Sequence, residues 1–197
     1  MRRTILSAIA VLTLGVSGCN RDHGGPELPG ERPQTQVEAE TRVDTVPQEE
    51  PAIARSQWRA ANEDARAVTG NLRVSLQGRR GGPLVFAFAT GVTVVGQPYS
   101  VVPADSRSGV GGQSFAAVLG GDPRVDAYLY RVGSEHVTTS APRGGLCGEA
   151  VTRYLAVSEF VDGAGRWVFK IAAFSGDTQP GSGSDVQLCD AYSYTSQ

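Results

Sequence analysis

Asn71 to Gln77 reads NLRVSLQ, with Leu72, Val74 and Leu76 alternating against Arg73, Ser75 and Gln77. A period of two puts the three apolar side chains on one face of an extended strand. The same short unit, cut off by glycine-bearing turns, returns through the rest of the chain. LVFAFATGVTVVG carries apolar runs on both sides of Thr90-Gly91, which reads as a tight hairpin or as one long strand bulged at Gly91. SFAAVLG, VDAYLYRVG, RYLAVSEFV, RWVFKIAAFSG and DAYSYTS follow as further strands, and Asp162-Gly163-Ala164-Gly165 supplies a hairpin turn. Strands this short, joined by glycine turns rather than by helical crossovers, favour an antiparallel sheet over a parallel one. The fold predicted is mainly β, a small antiparallel β-barrel or sandwich of about seven or eight strands.

One helix precedes them. SQWRAANEDARAVTG places Trp58, Ala61, Ala65 and Val68 on a helical stripe, with Ser56 as N-cap and Gly70 just past the end. Glu63 and Asp64 fall on the solvent side of that helix, so they read as a solvated face rather than as a catalytic carboxylate pair.

The first residues follow a different logic. Arg2 and Arg3 stand before an uncharged apolar core from Ile5 to Val16. That core is shorter than the about 20 residues a membrane span needs, and a charged start with a short core is the pattern of an export signal. Val16-Ser17-Gly18-Cys19 then resembles the lipobox of bacterial lipoproteins, filling all of its places. The resemblance implies that residues 1–18 are a signal peptide cut before Cys19, and that Cys19 carries a diacylglycerol on its sulfur and an acyl chain on its new amino group. Several acyl chains, at about 0.8 kcal/mol per buried CH₂, make attachment stable where one is marginal. Asn20 occupies the place where the inner-membrane retention signal of such proteins has Asp. The resemblance therefore implies lipid anchoring in the outer membrane, facing the periplasm.

Residues 20–55 hold five prolines, no aromatic residue, and eight acids against four arginines. Such a stretch buries too little apolar surface to offset its ordering entropy, so residues 19–55 are expected to be a lipidated cysteine and disordered tether. Residues 56–197 are then the β-rich globular domain. The domain carries twelve basic and twelve acidic side chains. Nucleic acid is therefore not an expected partner, because a polyphosphate binder needs a basic face.

An exported chain meets an oxidising compartment, and Cys147 and Cys189 are the two thiols left once Cys19 is spent on lipid. A Cys147–Cys189 disulfide is expected. With those thiols paired, a metal site would have only His136, the tether's His23 and scattered acids to draw on, so no metal or cofactor is expected. Ser134, Glu135 and His136 are consecutive and alternate faces on a strand, so they do not form a relay, and no G-x-S-x-G elbow is present. GVGGQS, residues 109–114, lacks the ending of a phosphate loop and a helix after it, and reads as a connector. No enzyme chemistry is expected from these residues.

Tyrosines remain. Tyr128 and Tyr130 share one strand face, as do Tyr192 and Tyr194, and either pair lines a ligand pocket or belongs to the core. Two functions fit this inventory. One is a lipid-anchored binding module presenting loops or a barrel mouth to an envelope protein, a glycan or a small apolar ligand. Small tethered barrels with one disulfide resemble lysozyme-inhibitor lipoproteins, although their inhibitory loop motif has no match here. The alternative is a structural or assembly accessory of the outer membrane, meeting its partner through a sheet edge or the helix.

Overall fold

A computed structural model describes Arg55 and residues 57–196. The eight strands are β1 (Gln57–Ala60), β2 (Leu72–Leu76), β3 (Leu84–Phe88), β4 (Val92–Val102), β5 (Ala127–Val137), β6 (Tyr154–Val161), β7 (Trp167–Ser175) and β8 (Gln187–Ser196). Each pairs antiparallel with its chain neighbours, and β1 pairs with β8 to close a barrel. Of the two architectures expected, the barrel is therefore the one formed, because β1 supplies the last ladder.

Alternation decides the inside. Trp58, Leu72, Val74, Leu84, Phe86, Val94, Phe169, Ile171, Tyr192 and Tyr194 are all buried in one core. Trp58 stacks on Phe169 at 5.1 Å between ring centroids, and Phe86 meets Tyr130 edge-on at 5.7 Å. Gln57, Arg59, Arg73, Ser75 and Gln97 are exposed. An apolar interior within a polar wall is the reverse of a membrane-spanning barrel, whose lipid-facing side is apolar. Strands of four and five residues in β1, β2 and β3 are also shorter than the about 9–11 residues such a barrel uses.

Three local expectations are corrected. The helix predicted from Ser56 is a strand over its first part, followed by a single π-type turn, Ala65–Thr69. Trp58 shares a face with Ala60 at a period of two as readily as with Ala61 on a helical stripe, and the open edges of β2 and β8 reward the extended form with hydrogen bonds. Asn62 makes the switch. Its amide Nδ2 donates to Ala191 O at 3.0 Å, while its Oδ1 accepts from Ser193 N at 2.9 Å and from Ala65 N at 3.2 Å. One side chain thus extends the ladder to β8 and caps the turn.

SFAAVLG, expected as a strand, is the helix α1 (Phe115–Leu119). A five-residue apolar run fits either form, and the ends decide. Ser114 Oγ accepts from Ala117 N at 3.2 Å, and Gly120 closes the turn with a left-handed backbone at φ 59°. A helix therefore does follow GVGGQS, contrary to the reading of that segment. α1 packs outside the barrel wall, where Phe115, Val118 and Leu119 cover Leu129, Ala156, Ala172 and Phe174 in a second core.

The double-valued stretch around Gly91 resolves as a hairpin between β3 and β4. Gly91 has φ 98°, and a Cβ there would overlap Thr138 Oγ1, so both backbone and space require glycine. The Asp162–Gly165 turn joins β6 to β7 as expected, with Asp162 N donating to Arg166 O at 2.9 Å.

Candidate functional site

The strands end at β5 in an unusual way. β5 pairs with β4 along most of its length, from Ala127 to Val137. Its ladder with β6 covers only Tyr128 to Arg131, with one further bond from Val132 N to Arg153 O at 2.9 Å. Beyond that point the chain leaves as the loop of residues 138–153, and the upper half of β5 faces a groove instead of a strand.

The loop itself is fastened across the barrel end. Leu146 is buried in the core. Glu135 Oε1 accepts from Leu146 N at 2.7 Å, and Tyr192 O–H donates to Leu146 O at 3.1 Å. Cys147 joins Cys189 of β8, with Cα atoms 5.0 Å apart, inside the range a disulfide needs. The expected bridge is therefore formed, and it fixes a plug over the barrel mouth. Gly145 makes room for the plug, since a Cβ there would lie 2.6 Å from Glu135 Oε1.

The groove between β5 and the returning loop has a volume of about 330 Å³ and is lined by Val132 to Glu135, Val137, Gly145 and Gly148 to Arg153. Val137 and Val151 are 39 % and 61 % exposed on its two walls. Thr152 is buried, and its hydroxyl has no hydrogen-bond partner among the described residues. Arg153 lies 3.7 Å from Asp177, whereas the nearby Glu149 is exposed.

A second, smaller groove of about 210 Å³ opens on the other side of β5, lined by Pro98 to Val101 and Tyr128 to Tyr130. A register shift between Pro98 and Ser100 throws Tyr99 out of the β4 ladder. Its O–H donates to Gln179 Oε1 at 2.9 Å, and its ring meets Tyr154 edge-on at 6.3 Å. Tyr99 and Val101 remain 50 % and 44 % exposed.

The four tyrosines of the sequence reading separate. Tyr130, Tyr192 and Tyr194 are core side chains, and Tyr128 is half-buried on the second groove. Burial raises the Tyr128 phenol, helped by the charges of Asp126 and Glu159. Tyr192 and Tyr194 are pushed far above the ordinary tyrosine range, chiefly by burial. Ser134 and His136 are exposed, while Glu135 turns inward to the plug. Cys19, the tether and the signal segment lie outside the described residues.

One further polar pair went unseen in the sequence. Ser158 and Lys170 are cross-strand partners on β6 and β7. Ser158 Oγ is buried without a hydrogen-bond partner among the described residues, and burial lowers the Lys170 ammonium. Both sit beneath the C-terminal end of α1: Cβ atoms placed on Gly120 and Gly121 would lie 3.7 Å from Lys170 Nζ and 3.9 Å from Ser158 Oγ. Among the described residues, no three His, Cys or carboxylate side chains gather as a metal site.

The barrel interior is filled with aromatic and aliphatic side chains, and its outer wall carries two open grooves flanking β5. In comparisons with protein-family models, with curated proteins and with solved structures, the chain finds no match.

Proposed function

We propose that this protein is a lipid-anchored binding module of the cell envelope, held to the outer membrane by Cys19 and facing the periplasm. The observation that carries the binding role is the packed interior. With Trp58, Phe86, Phe169, Tyr192 and Tyr194 filling the barrel, a partner is met on the outer wall. The grooves on either side of β5 carry four of the six large apolar side chains exposed among the described residues: Tyr99, Val101, Val137 and Val151. Exposed aromatic and aliphatic side chains beside polar groups are the composition of a protein-binding patch rather than of a small-molecule cavity. A protein partner fits best. The anchor reading rests on the complete Val16-Ser17-Gly18-Cys19 box.

The test places a photoreactive phenylalanine at Tyr99 or Val151 of the lipidated chain in intact cells, with Arg166 as control position. A discrete adduct is expected from the two groove positions, absent at Arg166, and lost with Cys19→Ser, which releases the chain from membranes and removes the lipid mass. Adducts no different from those at Arg166 would overturn the binding reading. A Cys19→Ser chain that stays membrane-bound would overturn the anchor.

A further inference from the structure

β5 has a half that is strand on one side only. Thr138 N donates to Gly91 O at 3.0 Å, on the β4 side, and Val132 N donates to Arg153 O at 2.9 Å, on the β6 side. Main-chain groups alternate along an antiparallel strand, and the register shift opposite Val95 and Gly96 absorbs the one-residue change between these two bonds. The amides and carbonyls of Ser134 and His136 therefore face β4. Those of Glu135 and Val137 face the groove.

No backbone bond between these two residues and the returning loop is formed among the described residues. Across the groove, the main-chain groups of Val151 and Thr152 likewise form no backbone bond among the described residues. An open edge of this kind is a template for another strand, and most proteins blunt it with proline, lysine or a cover. Here Gly133, Ser134 and Val137 leave it bare and exposed.

We propose that the open edge of β5 from Gly133 to Val137 docks an extended peptide segment of a partner protein, added as a short strand with a basic side chain beside Glu149. This rests on the binding reading above and names its site and partner class. Two properties select a polypeptide. Donors and acceptors at Glu135 and Val137 recur every second residue, the repeat an extended peptide matches with its own backbone. Val137 and Val151 wall the cleft with apolar surface, which suits a β-branched side chain pointing between them. Charge sets the remaining preference. Glu149 is exposed and, unlike Arg153 with Asp177, enters no ion pair among the described residues, so a lysine on the incoming strand finds a free carboxylate.

The test uses the isotope-labelled mature chain, residues 19–197 with Cys19→Ser, and the blocked pentapeptide Thr-Val-Lys-Val-Thr. Binding should slow amide exchange at Glu135 and Val137 by about tenfold or more, leaving the amides of Ser134 and His136 unchanged. The same peptide N-methylated at both valines should not bind, because its strand-forming donors are gone. Val137→Pro, which deletes one groove-facing donor without touching a β4 bond, should abolish binding at an unchanged melting temperature. Glu149→Lys should weaken the lysine peptide about tenfold and favour one with Glu in its place.

Unchanged exchange at Glu135 and Val137 with about 1 mM peptide, or equal binding of the N-methylated peptide, would overturn the proposal. So would protection of those two amides before any peptide is added, since the edge would then already be paired within the chain. A groove adduct in cells together with a failed peptide titration would sink strand addition and leave the binding reading standing.

Discussion

Tyr194 carries its hydroxyl into the barrel, where it lies 2.7 Å from Thr69 Oγ1, and Thr69 also donates to Ala65 O at 3.0 Å. The bond ties the last strand to the π-type turn after β1, so one side chain secures the seam where the barrel closes. Tyr194→Phe removes it and should cost about 0.5–1.5 kcal/mol at neutral pH, read from the urea midpoint. The ionisation has its own signature. The folded-state value is raised from 10.0 by burial, so the unfolded chain loses its phenolic proton first. The contribution of the tyrosine to stability is then flat below pH about 10 and falls above it, by about 1.4 kcal/mol per pH unit for each such tyrosine. Tyr192, raised by the same cause, contributes a second share. Tyr194→Phe should remove one share of the alkaline fall and leave the other. An unchanged alkaline slope in the variant would show that Tyr194 ionises as readily folded as unfolded.

Among the elements, the loop of residues 138–153 bears most on the function proposed. It leaves β5 half unpaired and closes the barrel mouth, and it does both because Leu146 is held by Glu135, Tyr192 and the neighbouring disulfide. The bridge spans a sequence separation of 42, for which chain entropy gives about 4 kcal/mol as an upper figure. Replacing Cys147 and Cys189 by alanine should lower stability by a few kcal/mol. The change should show as faster hydrogen exchange at the start of β8, Gln187 to Ala191, more than at its end, where Tyr194 and the β1 ladder still hold. Uniform acceleration along β8 would instead mean that the bridge stabilises only the whole fold. The element-level misreadings share one cause. QWRA, with two apolar residues, and FAAVL, an apolar run, are stretches of four and five residues, too short for periodicity to choose between strand and helix, and the choice fell to Asn62, Ser114 and Gly120 at their ends.

At the scale of the whole molecule, the barrel is complete from Gln57 to Ser196, with β1 pairing both β2 and β8. Residues 21–50 precede that closed unit, and their composition of prolines and acids suits a tether. Deleting them should leave the melting temperature of the chain unchanged while, in the anchored form proposed, shortening its reach from the membrane. A clear drop in a calorimetric scan would mean that this segment packs on the domain. Such a deletion also separates the two roles proposed: peptide binding at β5 should survive it, and a partner set at a fixed height above the membrane should be lost.

By itself the sequence determined the class of the fold, the strands from Leu72 onward apart from SFAAVLG, which is the helix α1, the Asp162–Gly165 hairpin and the pairing of Cys147 with Cys189. These rest on local alternation, turn residues and cysteine arithmetic, which are properties of short stretches and of composition. Cys19 belongs to the same kind of signal, carried by four adjacent residues, and it stands as a proposal. Only the tertiary structure decided that the sheet closes and that Tyr130, Tyr192 and Tyr194 fill its inside. The same is true of Leu146 plugging one end and of β5 keeping a bare edge. Those outcomes depend on which distant strands pair and where a ladder stops: β6 meets β5 only as far as Arg131, and no pattern within VDAYLYRVGSEHV records where its neighbour will end.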